Sequence, residues 1–231
     1  MKMKLQTLII CSILIFTNSF HVSSQVVNPG KDLPLEISKT KGSLDVLVLY
    51  LTGDGGSNDF NEQIIGQFEK QGYGLVALNS RKYFWDKKSP QVFANDMELL
   101  CNYYLKEWGK SSLIIAGYSF GADVGIFLPR LLTAGLQQKI ARIVLISPSA
   151  STDFEIHLSD MVGGKENVNR RYKVETEIAK NKLPIICTFG EQEELILKSS
   201  LKNNKNVTIH LLPGDHRYDN NFDLLIKTIV K

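Results

Sequence analysis

The stretch from Ser112 to Asp123 constrains the fold of this chain more than any other. Residues 113–116 form a short apolar run, which predicts a buried strand. The run leads into Gly117-Tyr118-Ser119-Phe120-Gly121, which fits the pattern G-x-S-x-G, and a helix-like apolar segment follows. A strand, a sharp turn and a helix in this order are typical of a nucleophile elbow, in which the turn lifts a serine hydroxyl above the sheet edge.

Steric constraints explain why this pattern has glycine at two positions. Side chains at Gly117 and Gly121 would collide with the neighbouring strand and helix of so tight a turn. The turn also places the Phe120 N–H at a helix N-terminus, where it can face a developing oxyanion. Ser119 is therefore predicted to be a nucleophile, and Phe120 to supply one oxyanion donor.

Strands alternate with helices along the rest of the chain. This order predicts an α/β fold with a mostly parallel sheet and helices on both faces. The predicted strands are residues 44–51, 74–78, 113–116, 141–147, 183–190 and 207–212, with a further edge strand near 33–37. The predicted helices are residues 61–71, 89–108, a segment from 120 that Pro129 kinks or shortens, and 222–230. Residues 149–182 lack a clean period, which predicts a small cap over the site.

The N-terminal 24 residues have the pattern of a secretory signal peptide. A basic start precedes an apolar stretch over residues 5–16, and small residues precede a plausible cut before Gln25. That stretch is too short to span a bilayer comfortably. The predicted organisation is therefore a signal peptide, residues 1–24, and one domain, residues 25–231.

Composition constrains the partners of the exported domain. Loss of Lys2 and Lys4 with the signal peptide lowers the formal charge from +3 to +1, which gives no reason to expect nucleic acid. Cys101 and Cys187 remain, and two buried thiols are favoured over a disulfide. Neither cysteine lies in a metal-ligand spacing.

A histidine near the C-terminus can serve as the base that a serine nucleophile needs. His216 follows Gly214 in a turn after the last predicted strand, and it is the preferred base. The other three histidines are His21 in the signal peptide, His157 in the cap and His210 inside the last strand. His210 is expected to be a buried or edge histidine without a catalytic role.

The acid that orients the base is expected between serine and histidine in chain order. An acidic turn follows the strand that ends at Gly190. Glu193 is the preferred acid, and Glu191 and Glu194 are the alternatives. Asp215 is adjacent to His216 and is expected to face elsewhere, because neighbouring side chains in a turn rarely pair in the needed geometry.

A glycine-rich turn, Gly53-Asp54-Gly55-Gly56, follows the strand at residues 44–51. The lysine of a P-loop is absent, so a phosphate cradle of that kind is not indicated. In a serine hydrolase such a turn supplies the second oxyanion N–H, for which Asp54 is the first candidate and Gly55 the second. The alternative is an ordinary connection between strand and helix.

A second loop beyond a strand end, residues 80–88, carries three adjacent aromatics among basic residues. The aromatics Tyr83, Phe84 and Trp85 could form a wall that grips an apolar group, rest on a membrane surface, or pack on the domain. Asp54 and Asp123 could be structural or could add negative potential that favours a cationic group on the substrate.

Five pieces of the sequence resemble the VirJ/AcvB family of exported bacterial proteins over most of residues 44–219. They are Gly53-Asp54-Gly55-Gly56, Tyr83-Phe84-Trp85, the elbow from Gly117 to Asp123, Asp153-Phe154-Glu155-Ile156 and Pro213-Gly214-Asp215-His216. The resemblance implies an α/β-hydrolase fold, a periplasmic location and hydrolysis of lysyl-phosphatidylglycerol, an aminoacylated lipid. It implies no metal or organic cofactor.

The chain departs from this family at the rim of the expected pocket. Ser57 stands where relatives usually have tryptophan, Gly125 and Ile126 precede a delayed Pro129, and no cysteine follows the acidic turn closely. The sequence therefore predicts a serine esterase with Ser119, His216 and Glu193 in its triad. The alternative is a periplasmic protein that binds a lipid or a secretion-system partner without catalysis.

Overall fold

The computed structural model describes residues 29–157 and 166–230. The predicted signal peptide and residues 158–165 of the predicted cap lie outside this part of the chain. Within it lies a seven-stranded sheet in which neighbouring strands are parallel, except for one edge strand that pairs antiparallel. Two further short strands form a separate antiparallel pair. The mostly parallel sheet of the prediction is confirmed.

The strands of the main sheet agree with the predicted ones to within a few residues, whereas β6 and β7 lie in the predicted cap, for which no strand was predicted. The strands are β1 (Leu35–Ile37), β2 (Val46–Leu51), β3 (Gly74–Leu78), β4 (Ser112–Tyr118), β5 (Ile140–Ile146), β6 (Ser151–Thr152), β7 (Tyr172–Lys173), β8 (Ile185–Gly190) and β9 (Val207–Leu212). Their order in the main sheet is β1-β3-β2-β4-β5-β8-β9, with β1 antiparallel to β3, and β6 pairs with β7. The α-helices are α1 (Asp59–Lys70), α2 (Ser80–Tyr83), α3 (Pro90–Trp108), α4 (Phe120–Gly125), α5 (Leu128–Leu131), α6 (Ala134–Gln137), α7 (Val174–Lys180), α8 (Leu197–Ser200) and α9 (Phe222–Ile229).

The central strands read as continuous apolar runs because both faces of the sheet are covered. In β2, Leu47 and Leu49 pack into one core cluster, and Val48 and Tyr50 pack into the other. Helices α3, α4 and α7 contribute to the first cluster, and α1 and α9 contribute to the second. The helices therefore lie on both faces, and the carboxyl ends of the parallel strands meet at one edge of the sheet.

Local sequence signals explain where the helices begin. The Asn58 side chain accepts a hydrogen bond from the N–H of Asn61 at the start of α1. Ser89 caps α3 in the same way, with Pro90 in its first turn. Pro129 lies near the start of α5, so the helix predicted from residue 120 is divided into α4 and α5 as expected.

The structure distinguishes among the three alternatives for the aromatics at residues 83–85. Tyr83 is 6% exposed and Phe84 is 0% exposed, whereas Trp85 is 55% exposed. The single turn of α2 directs Tyr83 and Phe84 inward, where Phe84 contacts the rings of Phe93 and Phe120. Two of the three aromatics thus belong to the core, and Trp85 alone of the three remains at the surface.

Two further expectations can be compared with the described residues. Cys101 and Cys187 are free and buried, as predicted. His210 is partly exposed on β9, the edge strand, as expected for an edge histidine. In the described ranges, the helices fall short of the length and apolar character that crossing a membrane requires.

Candidate active site

Ser119 lies in the turn between β4 and α4 with φ 52° and ψ −122°. A positive φ is rare for a residue with a side chain and is typical of a strained functional turn. A Cβ on Gly117 would lie 2.4 Å from the Gly121 carbonyl oxygen, and one on Gly121 would lie 2.2 Å from that of Leu51. Both glycines are therefore required by close backbone approach, as the sequence predicted.

The glycine-rich turn lies directly beside the serine. A Cβ placed on Gly53 would be 3.5 Å from the Ser119 Cβ. The Gly56 N–H donates to the Gly53 carbonyl at 3.0 Å, which closes the turn around Asp54 and Gly55. Phe120 is the first residue of α4, so its N–H has no acceptor within the helix. The two predicted sources of oxyanion donors therefore flank Ser119.

The predicted base and the preferred acid are in contact. His216 Nδ1 lies 2.5 Å from Glu193 Oε1. The Glu193 side chain is 5% exposed and the His216 side chain is 42% exposed, so the carboxylate is buried while the imidazole ring reaches solvent. Contact through Nδ1 leaves Nε2 as the nitrogen that can accept a proton from a serine. Glu193, not Glu191 or Glu194, is the member of the acidic turn that contacts His216.

Backbone and side-chain donors hold the Glu193 carboxylate. Its Oε2 accepts from the Gly190 N–H at 2.5 Å and from the Ser147 hydroxyl at 2.9 Å. Lys198 then fixes the turn itself, because its ammonium donates to the carbonyls of Gly190, Glu191 and Glu193 at 2.9, 2.6 and 3.1 Å. With both oxygens engaged, the carboxylate has one orientation toward His216.

A chain of hydroxyls extends from Glu193 into the core. Ser147 Oγ lies 2.6 Å from the Tyr218 hydroxyl, which lies 3.0 Å from Thr188 Oγ1. Since the Ser147 proton is directed to Glu193, Ser147 can only accept from Tyr218. The Tyr218 hydroxyl also lies 3.1 Å from the Thr188 carbonyl oxygen, so its single proton has two acceptors. The Thr188 hydroxyl can donate in turn to Tyr218. These bonds connect the carboxylate to buried groups of β8 and of the turn after His216.

Sequence reasoning missed Ser147 and Tyr218. Ser147 follows the last residue of β5 and has φ 50°. Its position at the carboxyl end of a predicted strand was a signal that could have identified it, since parallel sheets gather their site residues there. No comparable signal marks Tyr218, which reaches the site only through the fold of the turn after His216.

The loop that carries His216 packs tightly on the acidic turn. A Cβ on Gly190 would lie 2.2 Å from the Asp215 carbonyl oxygen. Tyr118, next to Ser119, donates its hydroxyl to the His216 carbonyl at 3.0 Å, and burial raises the pKa of this phenol well above its ordinary value. Asp215 accepts from the Arg217 N–H rather than pairing with His216, as expected.

Asp123 is buried four residues after Ser119. Its carboxylate accepts from the Ser149 N–H at 2.6 Å, and burial raises its pKa well above the ordinary value. The contact ties α4 to the loop after β5. This is the structural role that the sequence left open for Asp123, alongside a contribution to the potential near the pocket.

One group of side chains in the cap has the chemistry of metal ligands. Ligand-capable atoms of Asp153, Glu155 and His157 lie within 4.8 Å of one another. His157 contacts Asp153 at 2.8 Å, and two cations also engage the carboxylates, Arg170 at 3.0 Å and Lys87 at 3.2 Å. These ion pairs give the cluster a structural explanation, because they connect the cap to neighbouring parts of the chain.

The parallel sheet, the strained serine after β4 and the histidine–carboxylate pair beyond β8 and β9 define the architecture of an α/β hydrolase. Residues 45–231 match the model of a protein family described as "Bacterial virulence protein (VirJ)". The chain therefore belongs to the VirJ family, in agreement with the resemblance. No curated protein sequence matches the chain.

Solved structures of α/β hydrolases share the fold at low sequence identity. Est1E from Butyrivibrio proteoclasticus has a TM-score of 0.61 at 16% identity, over 84% of this chain and 89% of its own. A lipase-esterase related protein from Clostridium acetobutylicum has a TM-score of 0.63 at 12% identity, over 85% and 98%. Proline iminopeptidase from Mycobacterium smegmatis has a TM-score of 0.60 at 13% identity, over 85% and 92%. At such identities, these similarities establish the fold alone.

Proposed function

We propose that the protein is a serine hydrolase that cleaves an ester bond. The observation that carries this proposal is the contact of 2.5 Å between His216 Nδ1 and Glu193 Oε1, beyond the strand ends that flank a serine in an elbow turn. A buried carboxylate that orients an imidazole is the arrangement that lets histidine act as a base near neutral pH.

In the first half of the reaction, Ser119 Oγ attacks the ester carbonyl and its proton passes to His216 Nε2. The Phe120 and Asp54 N–H groups hold the resulting oxyanion. Collapse of this intermediate breaks the ester C–O bond, and the departing alcohol takes the proton from His216. The acyl group remains on Ser119.

In the second half, His216 Nε2 takes a proton from water, which attacks the acyl carbonyl. The second tetrahedral intermediate expels Ser119 Oγ, and this oxygen recovers the proton from His216. Glu193 stays ionised throughout and stabilises the imidazolium that forms in each half. The sum is hydrolysis of an ester to an acid and an alcohol.

For the substrate, we propose an aminoacylated phospholipid such as lysyl-phosphatidylglycerol. Membership of the VirJ family supports this substrate through the resemblance described above, and the signal-peptide pattern of residues 1–24 supports a periplasmic location. Trp85 is exposed at the surface beside Lys87 and Lys88, which favours contact with an anionic membrane.

The test is hydrolysis by residues 25–231, with Ser119→Ala as the matched variant. Vesicles that contain lysyl-phosphatidylglycerol and a soluble p-nitrophenyl ester are the two substrates. We expect both to be cleaved, and Ser119→Ala to lose about 10³-fold or more of each rate. Cleavage of the soluble ester alone would keep the hydrolase and reject the lipid.

The second candidate is a periplasmic binding protein that uses this fold without catalysis. The exposed Trp85 beside basic residues is the observation that favours a binding surface. A fluorophosphonate probe separates the two candidates, because it reacts with an activated serine and leaves an idle one unlabelled. Absence of labelling in a folded protein that binds lipid vesicles would favour the binding protein.

A further inference from the structure

A groove opens beside the glycine-rich turn and is used by none of the proposed catalytic steps. Its volume is about 520 Å³, and its lining includes Gly56, Ser57, Arg81, Lys82 and Trp85. It therefore lies between the loops that follow β2 and β3, two neighbouring strands of the sheet.

The groove is close enough to Ser119 to hold part of the same substrate. Gly53 lies against Ser119, and a hydrogen bond of 3.0 Å from Gly56 to Gly53 closes a four-residue turn. The first and last Cα atoms of such a turn are less than about 7 Å apart. The groove thus begins within about 12 Å of the Ser119 Cβ.

The walls of the groove are fixed by hydrogen bonds between the two loops. Asn79 donates its side-chain N–H to Ser57 Oγ at 2.7 Å and accepts the Lys82 N–H at 3.0 Å. A Cβ on Gly56 would lie 3.0 Å from the Arg81 Cβ, so the arginine stem packs directly on the turn. The Cβ of Arg81 is therefore held against the glycine-rich turn at the wall of the groove.

The polar groups of the groove favour an anion. Within the part of the chain that the structure describes, neither Arg81 nor Lys82 pairs with a carboxylate, although Arg81 is half-buried. Ser57 accepts from Asn79, which leaves its own hydroxyl proton for another acceptor. Asp86 is the single acidic residue of the lining, against two cations. Arginine presents paired donors that match a phosphate.

We propose that this groove is a subsite for the phosphate of an ester substrate, held chiefly by Arg81 and Lys82. The proposal rests on the proposed function and assigns the phosphodiester of the proposed substrate to residues of this groove. In an ester of glycerol with a phosphodiester on its far hydroxyl, the phosphorus lies about 6 Å from the ester oxygen when extended. This spacing is compatible with the distance between nucleophile and groove.

Two soluble esters test the subsite without a membrane. The first is lysylglycerol, and the second is lysylglycerol with a methyl phosphodiester on the far hydroxyl. We expect the wild type to prefer the second by about tenfold in kcat/KM, mainly through KM. Arg81→Gln and Lys82→Gln should each lose much of this preference and keep the rate on lysylglycerol within about twofold.

Lys88→Gln is the matched control. It removes the same charge from the same loop, but Lys88 lies over the Tyr83 ring and outside the groove lining. It should keep the preference for the phosphodiester. No preference in the wild type, or an equal loss for both esters in Arg81→Gln, would overturn the subsite and leave the hydrolase standing.

A binding measurement covers the case in which neither ester is cleaved. Ser119→Ala is titrated with glycerophosphoglycerol, with glycerol as the neutral comparison, and the fluorescence of Trp85 in the groove lining is followed. Saturable binding of the phosphodiester that Arg81→Gln weakens about tenfold would support the subsite although the hydrolase had failed. Absence of binding together with absence of cleavage would overturn both.

Discussion

At the scale of single residues, the Glu193 carboxylate depends on groups that themselves have no place in the reaction. Its Oε2 receives the Ser147 hydroxyl at 2.9 Å, and Ser147 is supported by Tyr218 at 2.6 Å. Both partners are buried, so water cannot replace a lost donor easily. Ser147 is therefore a positioning residue for the proposed acid.

Replacement of Ser147 tests this role. In Ser147→Ala, the carboxylate loses one of two donors to Oε2 and gains freedom to turn from His216. We expect kcat to fall about tenfold with KM unchanged, measured on a soluble ester. Tyr218→Phe should produce a smaller fall in the same direction.

The exposed Ser199 supplies the control, because its hydroxyl donates only to a carbonyl of its own segment. Ser199→Ala should leave kcat unchanged. A Ser147→Ala protein with a lower unfolding temperature and full kcat would show that the hydroxyl serves stability and not the orientation of Glu193.

The buried Asp123 gives a prediction about pH. Burial raises its pKa in the folded protein, so between the ordinary value near 3.9 and the raised value the folded state binds a proton that the unfolded state releases. This group therefore makes stability fall as pH rises through that window. Asparagine can still accept the Ser149 N–H and carries no charge to bury.

We expect the unfolding temperature of Asp123→Asn to depend less on pH than that of the wild type between about pH 5 and about pH 8. The midpoint of the variant should exceed that of the wild type most at the upper end. Thermal unfolding followed by circular dichroism at several pH values measures the difference. Parallel curves for the two proteins would contradict the assignment.

The sequence predicted the residue types of the candidate site better than their pairings. Ser119, Phe120 and His216 could be located because each follows a strand end. The choice of Glu193 over Glu191 and Glu194 could not be settled, because it depends on how the turn after Gly190 closes. That closure rests on contacts distant in sequence, such as the Ser147 hydroxyl, which periodicity does not reveal.

At the scale of elements, α8 acts as a brace for the acidic turn. The Lys198 ammonium donates to three carbonyls of that turn, and the donor distances lie between 2.6 and 3.1 Å. Three converging carbonyls leave the ammonium little freedom, and its charge strengthens each bond. The turn is thereby closed around Glu193.

Lys198→Met tests the brace, since methionine keeps an unbranched stem without the donors. We expect the variant to lose several-fold in kcat on a soluble ester and to show faster amide exchange at Gln192 and Glu193, whose N–H groups donate to the carbonyls of Gly214 and Gly190. Lys202→Met, an exposed lysine in the next turn of the chain, should change neither. Unchanged amide exchange in Lys198→Met would mean that the acidic turn keeps its structure without the Lys198 hydrogen bonds.

Most of the elements were predictable because their signals are local. Apolar runs predicted the six parallel strands, and Ser89-Pro90 predicted the start of α3. The sequence left three alternatives open for Tyr83, Phe84 and Trp85. The structure shows that packing on the domain applies to Tyr83 and Phe84, because one helical turn in the loop directs both rings into the core. A segment of four helical residues is too short to show a helical period, so the sequence could not reveal their direction.

At the scale of the whole molecule, two core clusters enclose the sheet, and the first of them buries the thiols of Cys101 and Cys187. Burial raises the pKa of Cys101 to about 12 and also raises that of Cys187. A raised thiol pKa lowers the fraction of reactive thiolate at neutral pH, and burial denies access to reagents. The folded domain is therefore expected to be inert toward alkylation.

Reaction of residues 25–231 with a thiol reagent at about pH 8 measures this inertness. We expect almost no reaction in buffer and modification of both Cys101 and Cys187 in denaturant. Rapid reaction of either thiol in buffer would indicate that the core around it opens far more often than a cooperative domain allows.

The strained backbone at Ser119 lowers the stability of the fold at the residue that the proposed reaction requires. A residue with a side chain at φ 52° and ψ −122° costs about 1–3 kcal/mol that glycine would largely avoid. Ser119→Gly is therefore expected to make the protein more resistant to heat while removing the proposed nucleophile. Selection for stability of the fold alone would favour glycine at this position. Serine lowers that stability, and only the function of its hydroxyl explains its presence here.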